Sequence, residues 1–291
     1  MKITGLSLLL GSIFGLSHGC AHAATMQLNS NVTCYVNTVS GSPNNDGSAG
    51  SPKRHFSDCI NLIQNSWDIV SFTVTVQGVA GQVDNSPILI TTFRGTGTVV
   101  VDCGGSGGGI SSPGSLSPFA QGPIATAGGA LGANFVVENC TLSNPGSWGF
   151  DLINGNTGMM EIGHGVVFGP APSAQIAADS PGAMVLITDN YTIAGGAQYH
   201  YLTQTGGLIQ DTGGANGQRI TVTLVGNPRF QYFADASLGG NMILPFMTFQ
   251  GQASGYRYIS MGPSSIWTGT GTSYYFPGSA GGTLIGGGYY Y

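Results

Sequence analysis

Apolar and β-branched residues of this chain fall in short runs that recur at a fixed distance. Phe135-Val-Val-Glu-Asn139-Cys-Thr-Leu142, Met160-Glu-Ile-Gly-His164-Gly-Val-Val-Phe168 and Val185-Leu-Ile-Thr-Asp189-Asn-Tyr-Thr-Ile193 align, and Asn139, His164 and Asp189 follow one another at 25-residue intervals. Each polar residue separates two apolar runs, a pattern that predicts strand, tight polar corner, strand. A period of about 20 to 30 residues built from short strands, with no helical spacing between them, predicts a solenoid whose turns stack on one another.

The remaining pattern extends this picture. Phe56, Cys59, Ile60, Leu62 and Ile63 have helix-like spacing after the turn-rich run Gly41-Ser-Pro-Asn-Asn-Asp46-Gly47, so residues 32–63 hold the one predicted helix. A helix at that end would cover the open edge and core of the first coil. Strands are predicted at Ile69–Val76, Ile88–Thr92 and Thr98–Val101, a long loop at 104–133, and periodic coils over about 134–230. Two excursions, near 171–183 and 195–218, interrupt those coils, and excursions are where a solenoid places functional groups. The resulting division is a leader at 1–23, a first strand and capping helix at 24–66, the coils at 67–235, and a capping or oligomerisation segment at 236–291 rich in Gly and aromatics.

Composition narrows the function. Only 7% of the 291 residues are charged, against about 25% in an average globular protein, so polar uncharged groups must carry solubility. Seven scattered Lys and Arg and a net charge of −5 leave no basic patch, which argues against a nucleic-acid partner. Fifty glycines suit a chain that turns every few residues, and no Gly-X-Y period suggests collagen.

Residues 1–23 have the form of a secretory signal: Lys2, an apolar stretch from Ile3 to Leu16, then Ala21-His22-Ala23 before Ala24. The competing reading is a retained hydrophobic anchor. The stretch is too short and too rich in Gly and Ser to span a bilayer, and no later segment is long and apolar enough for a membrane helix. Cleavage after Ala23 leaves Cys34, Cys59, Cys103 and Cys140, an even number with three possible pairings. Cys103 and Cys140 follow similar strand runs and either bridge neighbouring coils or stand as small buried thiols. No Cys-x-x-Cys or paired His spacing marks a metal site, and no cofactor motif is present.

The run Tyr35-Val-Asn, Gly41, Asn45-Asp46-Gly47, Pro52, Phe56 and Cys59-Ile60 resembles the opening of right-handed parallel β-helix proteins of the pectate-lyase-like superfamily, including phage tail spikes and tail fibres. Ile220-Thr-Val-Thr-Leu-Val-Gly-Asn-Pro-Arg-Phe230, Tyr274-Tyr-Phe-Pro-Gly278 and Gly286-Gly-Gly-Tyr289 are similar to the ends of β-helix proteins found in phages, prophages and alphaproteobacterial genomes. The resemblance implies an all-β, right-handed, single-stranded parallel β-helix with an N-terminal capping helix. It also implies a glycan-binding or structural role in an extracellular, periplasmic or cell-surface setting or in a phage tail, and, with the aromatic tail, a homotrimer. The leader departs from the usual phage-fibre pattern.

Candidate chemistry follows from that architecture. Polysaccharide cleavage needs carboxylates about 5 to 10 Å apart, and Glu138, Glu161 and Asp189, with Asp102 nearby, lie in or just after strand runs. No Lys or Arg neighbours them in sequence, and polar corner residues also serve to bond turn backbone. Trp148, Tyr199, Tyr201 and Tyr232 are the candidate sugar-stacking residues, with core filling as the competing role. The expectation is therefore a non-enzymatic exported or virion-associated fibre or spike that binds cell-surface or extracellular polysaccharide. The alternatives are a polysaccharide depolymerase, hydrolase or lyase, using Glu138, Glu161 or Asp189, and a ligand-free structural appendage.

Overall fold

The computed structural model describes residues 25–112, 122–126, 132–146, 151–213 and 217–291. They form four parallel sheets and a single helix, an all-β arrangement consistent with a parallel β-helix. Three sheets of ten, seven and eight strands dominate. From Thr73 to Met261 the chain visits them in the same order on every circuit, for example Gly158–Ile162 in the first, Val166–Phe168 in the second and Ala174–Ala178 in the third.

Register along the first sheet follows Val74, Val99, Phe135, Met160, Val185, Ile209, Met242 and Ile266, each paired with the next. All eight side chains are buried, so like apolar residues stack inside the coil. Each such burial contributes roughly 1.5–3 kcal/mol. The strands alternate accordingly: Thr73–Gln77 and Thr98–Asp102 bury every second residue and half-expose the others. Two circuits are longer than the rest, those from Val99 to Phe135 and from Ile209 to Met242. Their extra residues lie between strands, so the stacking register survives them.

The coils reach further than the periodic pattern suggested. Parallel pairing continues past 235 through Asn241–Ile243, Ser254–Met261 and Ser265–Trp267 to Tyr289–Tyr290. The excursions expected near 171–183 and 195–218 hold third-sheet strands, Ala174–Ala178 and Ala197–Thr203. Ala174–Ala178 is buried at all five positions, so it lacks the alternation by which a strand is recognised.

The helix spans Phe56–Ser66 and lays Phe56, Cys59, Ile60 and Ile63 on the core. Its start is held by Asp84, whose carboxylate accepts the Phe56 N–H at 2.8 Å and lies 2.9 Å from His55 Nδ1. A carboxylate at a helix N-terminus also complements the helix dipole. Cys34–Cys59 ties the helix to the first strand of the first sheet, and Cys103–Cys140 joins neighbouring coils with Cα atoms 4.8 Å apart. These disulfides resolve the pairing that spacing left open.

A directional chain of polar groups runs among the core aromatics. Gln175 Nε2 donates to the carbonyls of Gly169 and Gly195 at 2.8 Å, which leaves Oε1 to accept from His200 Nδ1 at 2.6 Å. His200 Nε2 is therefore the acceptor for the Tyr191 hydroxyl at 2.7 Å, and Tyr191 in turn accepts from Tyr201. Burial holds His200 neutral, well below its usual range. Tyr191→Phe strands both His200 Nε2 and the Tyr201 hydroxyl, whereas Tyr201→Phe leaves the Tyr191 donation intact. Chemical unfolding should show Tyr191→Phe costing about 2 kcal/mol or more and Tyr201→Phe less; equal costs would contradict the direction assigned to the chain.

Candidate functional site

Asn139, His164 and Asp189 stack as the 25-residue period requires, because Val137 pairs with Ile162 and Ile162 with Ile187 two positions earlier. They form a corner. Asn139 sits at φ +50° and donates its N–H to the His164 carbonyl at 2.8 Å, while Asp189 Oδ1 accepts the N–H of Asn190 at 2.6 Å. Gly165 takes the left-handed φ of +70° that favours glycine, and a Cβ there would lie 2.5 Å from Asn139 Oδ1.

The candidate acids line the same edge of the first sheet. Glu161 pairs with Val136, so it is offset by two residues from Glu138 on the adjacent strand. Glu138 Oε1 lies 3.6 Å from His164 Nδ1. Partial burial raises the Glu138 carboxyl, His164 opposes that shift, and Asp102, Glu161 and Asp189 add to it. Asp102 Oδ1 is taken by the Gly104 N–H at 2.8 Å, so Asp102 and Asp189 both spend an oxygen on turn backbone. Among the described residues no three His, Cys, Asp or Glu side chains are placed to hold a metal ion.

The outer face of the third sheet has a different character. Tyr199, Tyr232 and Tyr256 pair in register on Ala197–Thr203, Arg229–Ala236 and Ser254–Met261. The rings of Tyr232 and Tyr256 stack with centroids 5.2 Å apart. Tyr199 is half-buried against Ala174, Ala177 and Leu202. Beside this ladder Gln198 Nε2 donates to Gln231 Oε1 at 2.9 Å. An open cavity of about 740 Å³ lies there, lined by Pro172, Gln198, Arg229, Gln231 and Tyr256 among others.

Tyr201, a candidate sugar-stacking residue, does not belong to this face. It is 0% exposed, its hydroxyl is engaged with Tyr191 in the interior, and it packs with the adjacent His200 among the core aromatics, including Phe233. Trp148 lies outside the described residues. Gln198, Gln231 and Arg229 were not singled out by sequence, and Tyr256 stood out only as part of the aromatic C-terminal segment. The signal for the two glutamines was the repeated Gln-Tyr of Ala197-Gln-Tyr and Phe230-Gln-Tyr, hidden because the long circuit between them breaks the 25-residue period.

A third group is buried among acids. Asn154 Nδ2 donates to Asp151 Oδ2 at 2.6 Å and to Asp179 Oδ2 at 2.7 Å, and Asp151 Oδ1 accepts the Ala174 N–H at 2.8 Å. Burial, with the charge of Asp179 second, pushes the Asp151 carboxyl up to about 7. Burial likewise raises Asp211 and Asp235 to about 6.

No protein-family model, no curated protein and no solved structure matches the chain.

The raised carboxyls fix a sign for pH dependence. An unfolded Asp ionises near pH 4, whereas folded Asp151 holds its proton to about pH 7, so its contribution to stability is lost as pH rises between those values. His200 acts oppositely, since the unfolded chain gains its proton below about pH 6.5 and the folded chain does not. Asp151→Asn should therefore flatten the fall in thermal midpoint between pH 5 and pH 7; a profile parallel to wild type would overturn the assignment.

Proposed function

We propose that the chain is an exported or virion-associated β-helix of the right-handed, single-stranded kind, and that it binds surface glycans on the outer face of its third sheet. The observation that carries this reading is the Tyr199–Tyr232–Tyr256 ladder beside the open cavity with Gln198 and Gln231. Tyrosine rings offer apolar area with a polar tip, and carboxamides donate and accept hydrogen bonds, which suits the faces and hydroxyls of sugar rings. A flat, repetitive surface of this kind favours an extended polymer over a small metabolite, which would sit in a closed cavity.

Export is part of the reading. Two disulfides and an apolar leader at 1–23 favour an oxidising compartment outside the cytoplasm. Homotrimer assembly is proposed too, supported by exposed aromatics toward the C-terminal end, among them Trp267, Tyr274, Tyr289 and Tyr291. Cleavage is not assigned to Glu138, Glu161 and Asp189, because Asp189 is bonded to turn backbone and Glu138 is paired with His164 at a corner.

Titration of the full chain with a panel of capsular and cell-wall polysaccharides tests the binding face. Tyr232→Ala and Tyr256→Ala should each weaken binding about tenfold, ~1.4 kcal/mol, with no release of reducing ends by the parent protein; unchanged affinity in the double variant would sink the reading. Sequencing the N-terminus of protein recovered outside the cytoplasm should begin at Ala24, and a chain beginning at Met1 would contradict export by cleavage.

A further inference from the structure

The cationic side chains of this chain are few, and nearly all of those described are occupied. Lys53 donates to the Pro43 carbonyl, Arg54 to Gly41, Arg94 to the Thr25 hydroxyl, Arg219 to Met247 and Arg257 to Ala280. Arg257 also lies over the Tyr274 ring, 4.8 Å from its centroid. Among the described residues the Arg229 side chain has no hydrogen-bond or ion-pair partner, and it is exposed on the wall of the 740 Å³ cavity beside Tyr256, Gln198 and Gln231.

Charge is also segregated around the coil. The half-exposed acids Asp102, Glu138, Glu161 and Asp189 lie in or just after first-sheet strands, on a different face, and Asp179 follows the third-sheet strand Ala174–Ala178 at the end in register with Ala236, away from Arg229. The acid on Arg229's own strand, Asp235, is 4% exposed and does not present its charge to the cavity. A second cavity of about 320 Å³ is lined by Arg257 and Tyr274 among others. A protein of net charge −5 thus keeps its one unengaged described guanidinium next to a stacking surface.

We propose that Arg229 makes this site selective for anionic glycans, binding a carboxylate or phosphate ester carried by a sugar whose ring stacks on Tyr256 or Tyr232. This rests on the glycan-binding reading of the third sheet. A guanidinium presents a planar fork of donors that matches the two oxygens of a carboxylate or phosphate, and it holds less tightly to its own hydration than an ammonium does. Gln198 and Gln231 then serve neighbouring hydroxyls, and the tyrosines supply contact independent of charge.

The test compares three probes on the full chain by calorimetric titration: alginate oligosaccharides for carboxylate, phosphomannan oligosaccharides for phosphate, and dextran oligosaccharides as the neutral reference. At least one acidic probe should bind about tenfold tighter than dextran, and that advantage should shrink as NaCl is raised. The acidic probe that binds tighter identifies the anion. Arg229→Gln should erase the advantage, bringing the acidic probe to the dextran affinity measured on the same variant with the thermal midpoint near wild type, and Arg229→Lys should restore part of it. Equal binding of dextran and both acidic probes, or a preference that survives Arg229→Gln or is insensitive to salt, overturns the selectivity and leaves the tyrosine ladder standing. Failure of all three probes to bind overturns both readings. If Arg229→Gln does not fold, Arg229→Lys and the salt series on wild type decide between the same outcomes.

Discussion

Everything in this molecule depends on parallel strands stacking in register, one circuit upon the next, at the roughly 4.8 Å spacing of backbone hydrogen bonds. That spacing brings each side chain into contact with its counterpart one circuit away, so an interior position must be compatible with both of its neighbours in the stack. The row from Val74 to Ile266 meets the demand with apolar residues throughout. Where the row meets a corner the demand changes to polar groups and unusual backbone angles, met by Asn139 at φ +50° and Gly165 at φ +70°.

The same rule explains how polar residues are tolerated inside. His200 and Gln175 are 0% exposed, yet each ring nitrogen and amide group of the pair has a partner, and the chain of donors starts at two tyrosine hydroxyls and ends on the Gly169 and Gly195 carbonyls. An unpaired polar group in that setting would cost a large share of a small net stability. Outside the coil the rule produces ladders of like side chains on each face: acids after the first sheet, tyrosines on the third. Function is then a question of which face presents which ladder, since the scaffold beneath is the same all round.

Sequence periodicity was legible where a strand alternates and its circuit has the standard length. It failed in three places for identifiable reasons: the long loop expected at 104–133 holds the strands Gly109–Ser111 and Ile124–Thr126, which at three residues each are too short to show alternation. Ala174–Ala178 is buried on both faces and so has no alternation, and the residues inserted between Ile209 and Met242 carried Gln231 and Tyr232 out of phase with Gln198 and Tyr199. Tyr199 and Tyr232 were recognisable as aromatic candidates. Tyr201 has the same strand setting but faces the core together with the adjacent His200, so that two consecutive residues are buried where alternation would expose one.

By itself the sequence determined the repeat length, the all-β class, the helix near the first coil and the near absence of charge, since each of these is written in local spacing and composition. Only the tertiary structure decided which cysteines pair, which tyrosines share a surface and which arginine is left unengaged. Those properties depend on what lies one circuit away, 24 to 36 residues distant along the chain, and insertions of unequal length make that distance unreadable until the strands are laid side by side.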